Sequence, residues 1–110
     1  MSELEEAKKT LEKTIESIKT FHKMPEEMKG GLLTRAQSSL NVLVQNEKKI
    51  WLKTGPGKAM LRDFNSSASK LLRAVVELTD LWEIEAALAE VEAQAKRIDE
   101  ETRRRSMVVT

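Results

Sequence analysis

Residues 75–84 read VVELTDLWEI, and they lie inside a run of 53 residues after Gly57 that contains neither Gly nor Pro. The ordinary helix breakers are therefore missing from this half of the chain. A continuous helix over Lys58–Arg104 would be about 70 Å long at 1.5 Å per residue. The way in which residues 75–84 fold decides between one very long third helix and two helices of ordinary length.

The apolar residues change register within this segment. Between Val75 and Ile84 three successive steps of three residues occur, and such steps rotate an apolar stripe backward around a helix. Asp80 followed by Glu83 has the pattern of a helix start, but few residues remain for a helix–helix connection, which normally takes about 2–8. We therefore expect a continuous third helix, with a break near Asp80 as the alternative. The stripe that leads into the segment consists of Leu61, Phe64, Ala68, Leu71, Val75 and Leu78.

Two shorter amphipathic helices precede this segment. The first covers residues 2–22, where Ser2 and Glu5 have the spacing of a capping box. Pro25 with the glycines at 30 and 31 marks its far boundary. Its stripe consists of Leu4, Ala7, Leu11, Thr14, Ile18 and Phe21. The second helix begins near Leu32, and its stripe consists of Leu33, Ala36, Leu40, Leu43, Glu47 and Ile50.

The second helix ends at residues 54–57, whose sequence Thr-Gly-Pro-Gly is typical of a turn. The predicted fold is all-α, an antiparallel bundle of three helices with a long third helix; the alternative is a four-helix bundle. We expect one domain over residues 1–105 and a flexible C-terminal tail over residues 106–110.

A long third helix would leave its second half uncovered, because the first two helices are each about 33 Å long. The exposed apolar stripe would then be an interaction surface. We expect it to pair with the same segment of a second chain as a coiled-coil homodimer. The alternatives are a monomeric core, if the chain turns near Asp80, and a partner helix from another protein. The predicted interface consists of Leu81, Ile84, Leu88, Val91, Ala95 and Ile98.

Cations cluster around the second turn. This basic tip could bind a protein partner, or an anionic lipid or nucleic-acid surface. The simpler interpretation is a solvated helix end, where Lys is favoured by the helix dipole. Nucleic acid is disfavoured because the pI of about 8.0 lies below the value of about 9 typical of such domains. The basic tip consists of Lys48, Lys49, Trp51, Lys53, Lys58 and Arg62.

Catalytic chemistry has little basis in the composition. The chain has no Cys, and its one imidazole is His22, so the usual nucleophile–base pairs and thiolate metal sites are missing. We predict no catalytic residue, no cofactor and no metal. The absence of Cys favours a reducing compartment, the cytoplasm or alternatively the nucleus.

The sequence therefore predicts a non-catalytic protein–protein interaction domain, an adaptor or scaffold that acts by burying a helix face and by homodimerising. The alternative is a regulator that uses the basic tip to bind an anionic membrane or nucleic acid.

Overall fold

The structure is a computed structural model that describes residues 2–21, 23–77 and 79–108, and only the backbone of residues 107 and 108. Every regular element in these ranges is helical, and the four α-helices pack together in one bundle. The elements are α1 (Glu3–Lys19), α2 (Glu26–Asn46), a short 3-10 helix (Ile50–Lys53), α3 (Gly55–Val76) and α4 (Leu81–Val108).

The continuous third helix predicted over Lys58–Arg104 is not found, since α3 ends at Val76 and α4 begins at Leu81. The turn between them closes without Gly or Pro, because the backbone N–H and the hydroxyl of Thr79 both donate to the carbonyl of Ala74, at 3.1 and 3.2 Å. That carbonyl would otherwise be left unpaired at the helix end. The alternative with a break near Asp80 is the one observed.

The bundle has two distinct ends, which position the surfaces described below. Each of α1 and α4 packs on both α2 and α3, so α1 and α4 lie diagonally opposite each other. Glu3 pairs with Arg62 at 3.9 Å, which places the starts of α1 and α3 together and makes these helices parallel. The α3–α4 turn therefore lies at one end of a body measuring 51 × 25 × 19 Å. The 3-10 helix and the last turns of α4 lie at the other.

The core follows the predicted stripes on α1, α3 and α4. The side chains of Leu11, Phe64 and Leu88 are completely buried, and the stripe continues along each helix. Leu78, the last predicted residue of the α3 stripe, lies outside the described residues. At the start of α1, the Ser2 hydroxyl accepts a hydrogen bond from the N–H of Glu5 at 3.1 Å, which confirms that Ser2 caps this helix.

Several helix boundaries differ from the prediction: α1 ends at Lys19 and not at residue 22, and α3 begins at Gly55, inside the predicted turn at residues 54–57. Helix α2 starts at Glu26 and not near Leu32, so both glycines at 30 and 31 lie inside it, on its exposed side. It ends at Asn46, after which the backbone changes to a 3-10 helix. Helix α4 extends to Val108, so residues 106–108 of the predicted tail are helical; residues 109 and 110 lie outside the described residues.

Candidate functional site

The predicted dimer interface lies inside the bundle. Leu81 is half-buried and packs against the core, while the other members, Ile84, Leu88, Val91, Ala95 and Ile98, are core residues. The prediction that this stripe is exposed was wrong, because the turn after Val76 folds α4 back onto α2 and α3. A second chain could reach these residues only if α4 left its place against α2 and α3.

The cations of the predicted basic tip are exposed at one end of the bundle. Lys48, Lys49, Lys53 and Lys58 are exposed, and among the described residues no carboxylate lies within ion-pairing distance of them. Arg62 is also exposed but pairs with Glu3. Glu47 accepts a hydrogen bond from Lys8 at 3.0 Å and is thereby neutralised. The tip therefore presents four ammonium groups without a partner in the described chain.

Trp51 belongs to the core and not to the exposed tip. Only 9% of the residue is exposed. Its indole N–H donates to the hydroxyl of Thr102 at 2.9 Å, and that hydroxyl donates to the carbonyl of Ile98 at 3.0 Å. The guanidinium of Arg105 lies 4.9 Å from the centre of the indole ring, within cation–π range. Trp51 therefore attaches the 3-10 helix to α4.

Ile50 was predicted to be a core residue and is instead 79% exposed. The α-helix ends at Asn46, so the α-helical period no longer applies at residue 50, and the neighbouring Trp51 takes the buried position. Ile50 lies between the ammonium-bearing residues Lys49 and Lys53 in sequence. We call Ile50 together with Lys48, Lys49 and Lys53 the Ile50 surface.

The tertiary fold adds a second basic group to this end, the arginines at positions 103–105 of α4. These are partly neutralised, since Arg103 pairs with Asp99 and both Arg104 and Arg105 pair with Glu101. A hydrogen bond from Arg104 lowers the pKa of Glu101 and raises that of Arg104. The unpaired positive charge of this end therefore comes mainly from the lysines.

An exposed apolar surface that the sequence analysis missed lies at the opposite end. Trp82, in the first turn of α4, is 67% exposed, and Val76, the last residue of α3, is 61% exposed. The two residues flank the same turn. Trp82 precedes Ile84 by two residues, about 200° around an α-helix, so it falls on the side away from the core. Knowledge that α4 starts at Leu81 would have been enough to find it.

Carboxylates surround this apolar pair in sequence. Glu77, Asp80 and Glu83 are exposed, and within the described ranges none of them forms an ion pair. Tryptophan is a residue enriched at the energetic centres of protein interfaces, and most Trp side chains are largely buried. We call Val76 and Trp82 with these three carboxylates the Trp82 surface.

The groove between α1 and α2 offers no assembled chemistry. This groove of about 370 Å³ is lined by Ile15, Lys19, Leu33, Thr34, Gln37 and Ser38, and Lys19 is its single titratable side chain. No cluster of three or more metal-binding side chains occurs among the described residues. Of the described helices, none is both long and apolar enough to cross a membrane.

The comparisons with known proteins identify no relative. The chain matches no protein-family model, and neither the curated proteins nor the solved structures contain a significant match. The two end surfaces are the features of this chain that indicate a function.

Proposed function

We propose that this chain is a non-catalytic protein–protein interaction domain that assembles with a second copy of itself through the Trp82 surface. The four-helix core serves as a rigid scaffold, and the binding residues lie at its end and not on the α4 stripe. The lack of Cys supports the cytoplasm as its compartment.

The exposure of Trp82 carries this proposal. Burying a large aromatic side chain removes roughly 150–250 Å² of surface from water, and Trp82 makes little use of this gain within its own chain. Val76 adds an exposed β-branched side chain across the turn. An apolar centre with a charged rim is the usual anatomy of a protein interface.

The size of the end predicts weak association. A cross-section of 25 × 19 Å offers roughly 500 Å² per partner, below the ~800 Å² of a standard stable interface. We therefore expect a reversible assembly that forms only at high protein concentration.

Light scattering across a dilution series, from about 1 mM to about 1 μM to cover the range of weak interfaces, tests the proposal. The wild-type mass should rise above that of one copy with concentration. Trp82→Ser should weaken association about 30-fold, the effect of losing an interface hot spot. Trp82→Phe should retain most of the association, because it keeps an aromatic side chain at this position.

Thermal melts of the same proteins serve as the control for folding. The Trp82 side chain is 67% exposed, so both variants should melt within a few degrees of the wild type. A wild-type chain that stays monomeric at every concentration overturns the proposal. Equal association of wild type and Trp82→Ser also overturns it.

A second candidate function uses the Ile50 surface to dock on an anionic membrane. Ile50 is the most exposed large apolar side chain of the described structure, and the unpaired lysines beside it would face lipid phosphates. Each Lys near an anionic leaflet contributes about 1 kcal/mol. The apolar side chain favours lipid over nucleic acid, since it gains from burial among acyl chains.

Co-sedimentation with vesicles tests this second function. Vesicles of phosphatidylcholine with phosphatidylserine should retain the chain, and pure phosphatidylcholine vesicles should not. Ile50→Ser and Lys49→Glu/Lys53→Glu should each reduce retention. Equal retention on both vesicle types, or none on either, contradicts membrane docking.

A further inference from the structure

We infer that the Trp82 surface of one copy binds the Ile50 surface of the next, so that the chain assembles head to tail. This inference rests on the proposed function, because it names the partner surface for Trp82. The two surfaces lie at opposite ends of the bundle, with exposed carboxylates beside Trp82 and exposed lysines beside Ile50 in sequence. Arg73, in the last turn of α3, is the cation nearest in sequence to the Trp82 surface.

The charges of both surfaces remain available for an intermolecular contact. Within the described ranges, Lys48, Lys49 and Lys53 have no carboxylate within 4.0 Å, and Glu77, Asp80 and Glu83 have no cation at that distance. Some opposite charges elsewhere on the bundle pair across helices, as Arg35 does with Glu92 through two hydrogen bonds from its Nε at 3.1 and 3.2 Å. The unpaired carboxylates and ammonium groups are thus complementary between copies.

A symmetric contact between two Trp82 surfaces is disfavoured by the same charges. It would bring Glu77, Asp80 and Glu83 of one copy against the same carboxylates of its mate. Like charges placed together across an interface oppose binding. The Ile50 surface supplies positive charge and an apolar side chain that can pack against Trp82.

Both surfaces are held rigidly, which lowers the entropy lost on binding. Next to Ile50, Trp51 is bonded to Thr102 of α4. Next to Trp82, the turn is closed by the two hydrogen bonds from Thr79 to Ala74. Neither apolar side chain lies on a loop that would need to fold on contact.

The assembly that follows is open and not closed. Each copy carries one surface of each kind, at the two ends of a body 51 Å long. A contact between unlike surfaces extends into a chain unless rotation closes it into a ring. The mass should therefore continue to rise past two copies, and added salt should weaken association because it screens the charges.

Mixing two variants tests the pairing of unlike surfaces. Trp82→Ser disables one surface, and Lys49→Glu/Lys53→Glu disables the other and should weaken self-association at least tenfold. At concentrations at which the wild type associates, each variant alone should be mostly monomeric. An equimolar mixture should form a dimer that grows no further, because one intact surface of each kind remains. The control Lys13→Glu/Lys96→Glu reverses two exposed lysines in the middle of α1 and α4 and should associate as the wild type does.

The possible failures separate the two proposals. If the wild type associates but the mixture stays monomeric, head-to-tail assembly is wrong and the Trp82 surface binds a different partner surface. If Lys49→Glu/Lys53→Glu associates as strongly as the wild type, the inference is also wrong, but the proposed function stands. A monomeric wild type overturns both.

Discussion

Replacing Gly57 by alanine should destabilise the bundle, although alanine is the better helix former. Gly57 is buried in the first turn of α3, where the chain passes the 3-10 helix. A Cβ at this position would lie 2.2 Å from the carbonyl oxygen of Trp51 and 2.5 Å from the Cα of Leu52. Both neighbours are backbone atoms, so no side-chain rotation relieves the contact.

The magnitude follows from three contributions. Alanine in a helix gains about 0.5–1 kcal/mol over glycine. Overpacking a dense site loses about 1–3 kcal/mol. Displacing the 3-10 helix also weakens the indole hydrogen bond to Thr102, worth about 1 kcal/mol, and part of the Trp51 packing. We expect a net loss of about 2–3 kcal/mol in the free energy of unfolding, which is a shift of about 1–2 M in the urea midpoint.

Urea unfolding followed by Trp51 fluorescence measures this effect. A Trp82→Phe background leaves Trp51 as the single tryptophan. Gly30→Ala is the matched control, since nothing lies within 4 Å of its added Cβ, and it should stabilise by about 0.5–1 kcal/mol. If Gly57→Ala is as stable as the wild type and its fluorescence is unchanged, the close contact with the 3-10 helix is refuted.

Three further predictions concern the core and its charges. Leu88→Asp should unfold all four helices in circular dichroism, because it places a charge at a fully buried position. A variant that keeps its helicity but no longer associates would instead support the interpretation that the α4 stripe is exposed. Thr102→Val should cost about 1–3 kcal/mol in urea unfolding, because it leaves the buried indole N–H of Trp51 unpaired. The hydrogen bond from Arg104 lowers the folded-state pKa of Glu101 below its usual 4.5. The stabilisation that this ion pair gives is therefore fully present above the pKa of Glu101 in the unfolded chain, and it is lost as the pH falls through the pKa of Glu101 in the folded chain. The melting temperature of Glu101→Gln should therefore fall less than that of the wild type between pH 7 and about pH 3. An equal fall in both proteins would count against this ion pair.

The faces of α1, α3 and α4 could be predicted because each helix carries its own uninterrupted stripe. Ile84, Leu88 and Val91 keep the same spacing whether or not the chain breaks before them. The period identifies which face is buried. It does not identify what covers that face, so the α4 stripe was assigned to a second chain.

The break itself was misjudged because the turn is closed by backbone hydrogen bonds and the hydroxyl of Thr79, without Gly or Pro. The two hydrogen bonds of Thr79 to Ala74 satisfy the helix end, and the carbonyl of Asp80 accepts the N–H groups of Glu83 and Ile84 at the next start. The Asp-x-x-Glu pattern at Asp80 indicated this start. Four residues were enough for the connection.

The functional surfaces were only partly predictable. The lysines of the tip are exposed, as charged residues at helix ends usually are. Which of Ile50 and Trp51 is buried, however, depends on the change to a 3-10 helix after Asn46. The approach of Arg105 to Trp51 is a tertiary contact between residues distant in sequence. Local periodicity contains no information about such a contact.

The shape of the self-associated species tests the central claim most directly. Small-angle X-ray scattering over a concentration series gives its longest dimension, which is 51 Å for one copy between Cα atoms. Assembly through the ends predicts a dimer about twice as long with the same cross-section. A dimer that keeps the length of one copy and doubles in width would contradict the account, because it would place the interface on the sides of the helices.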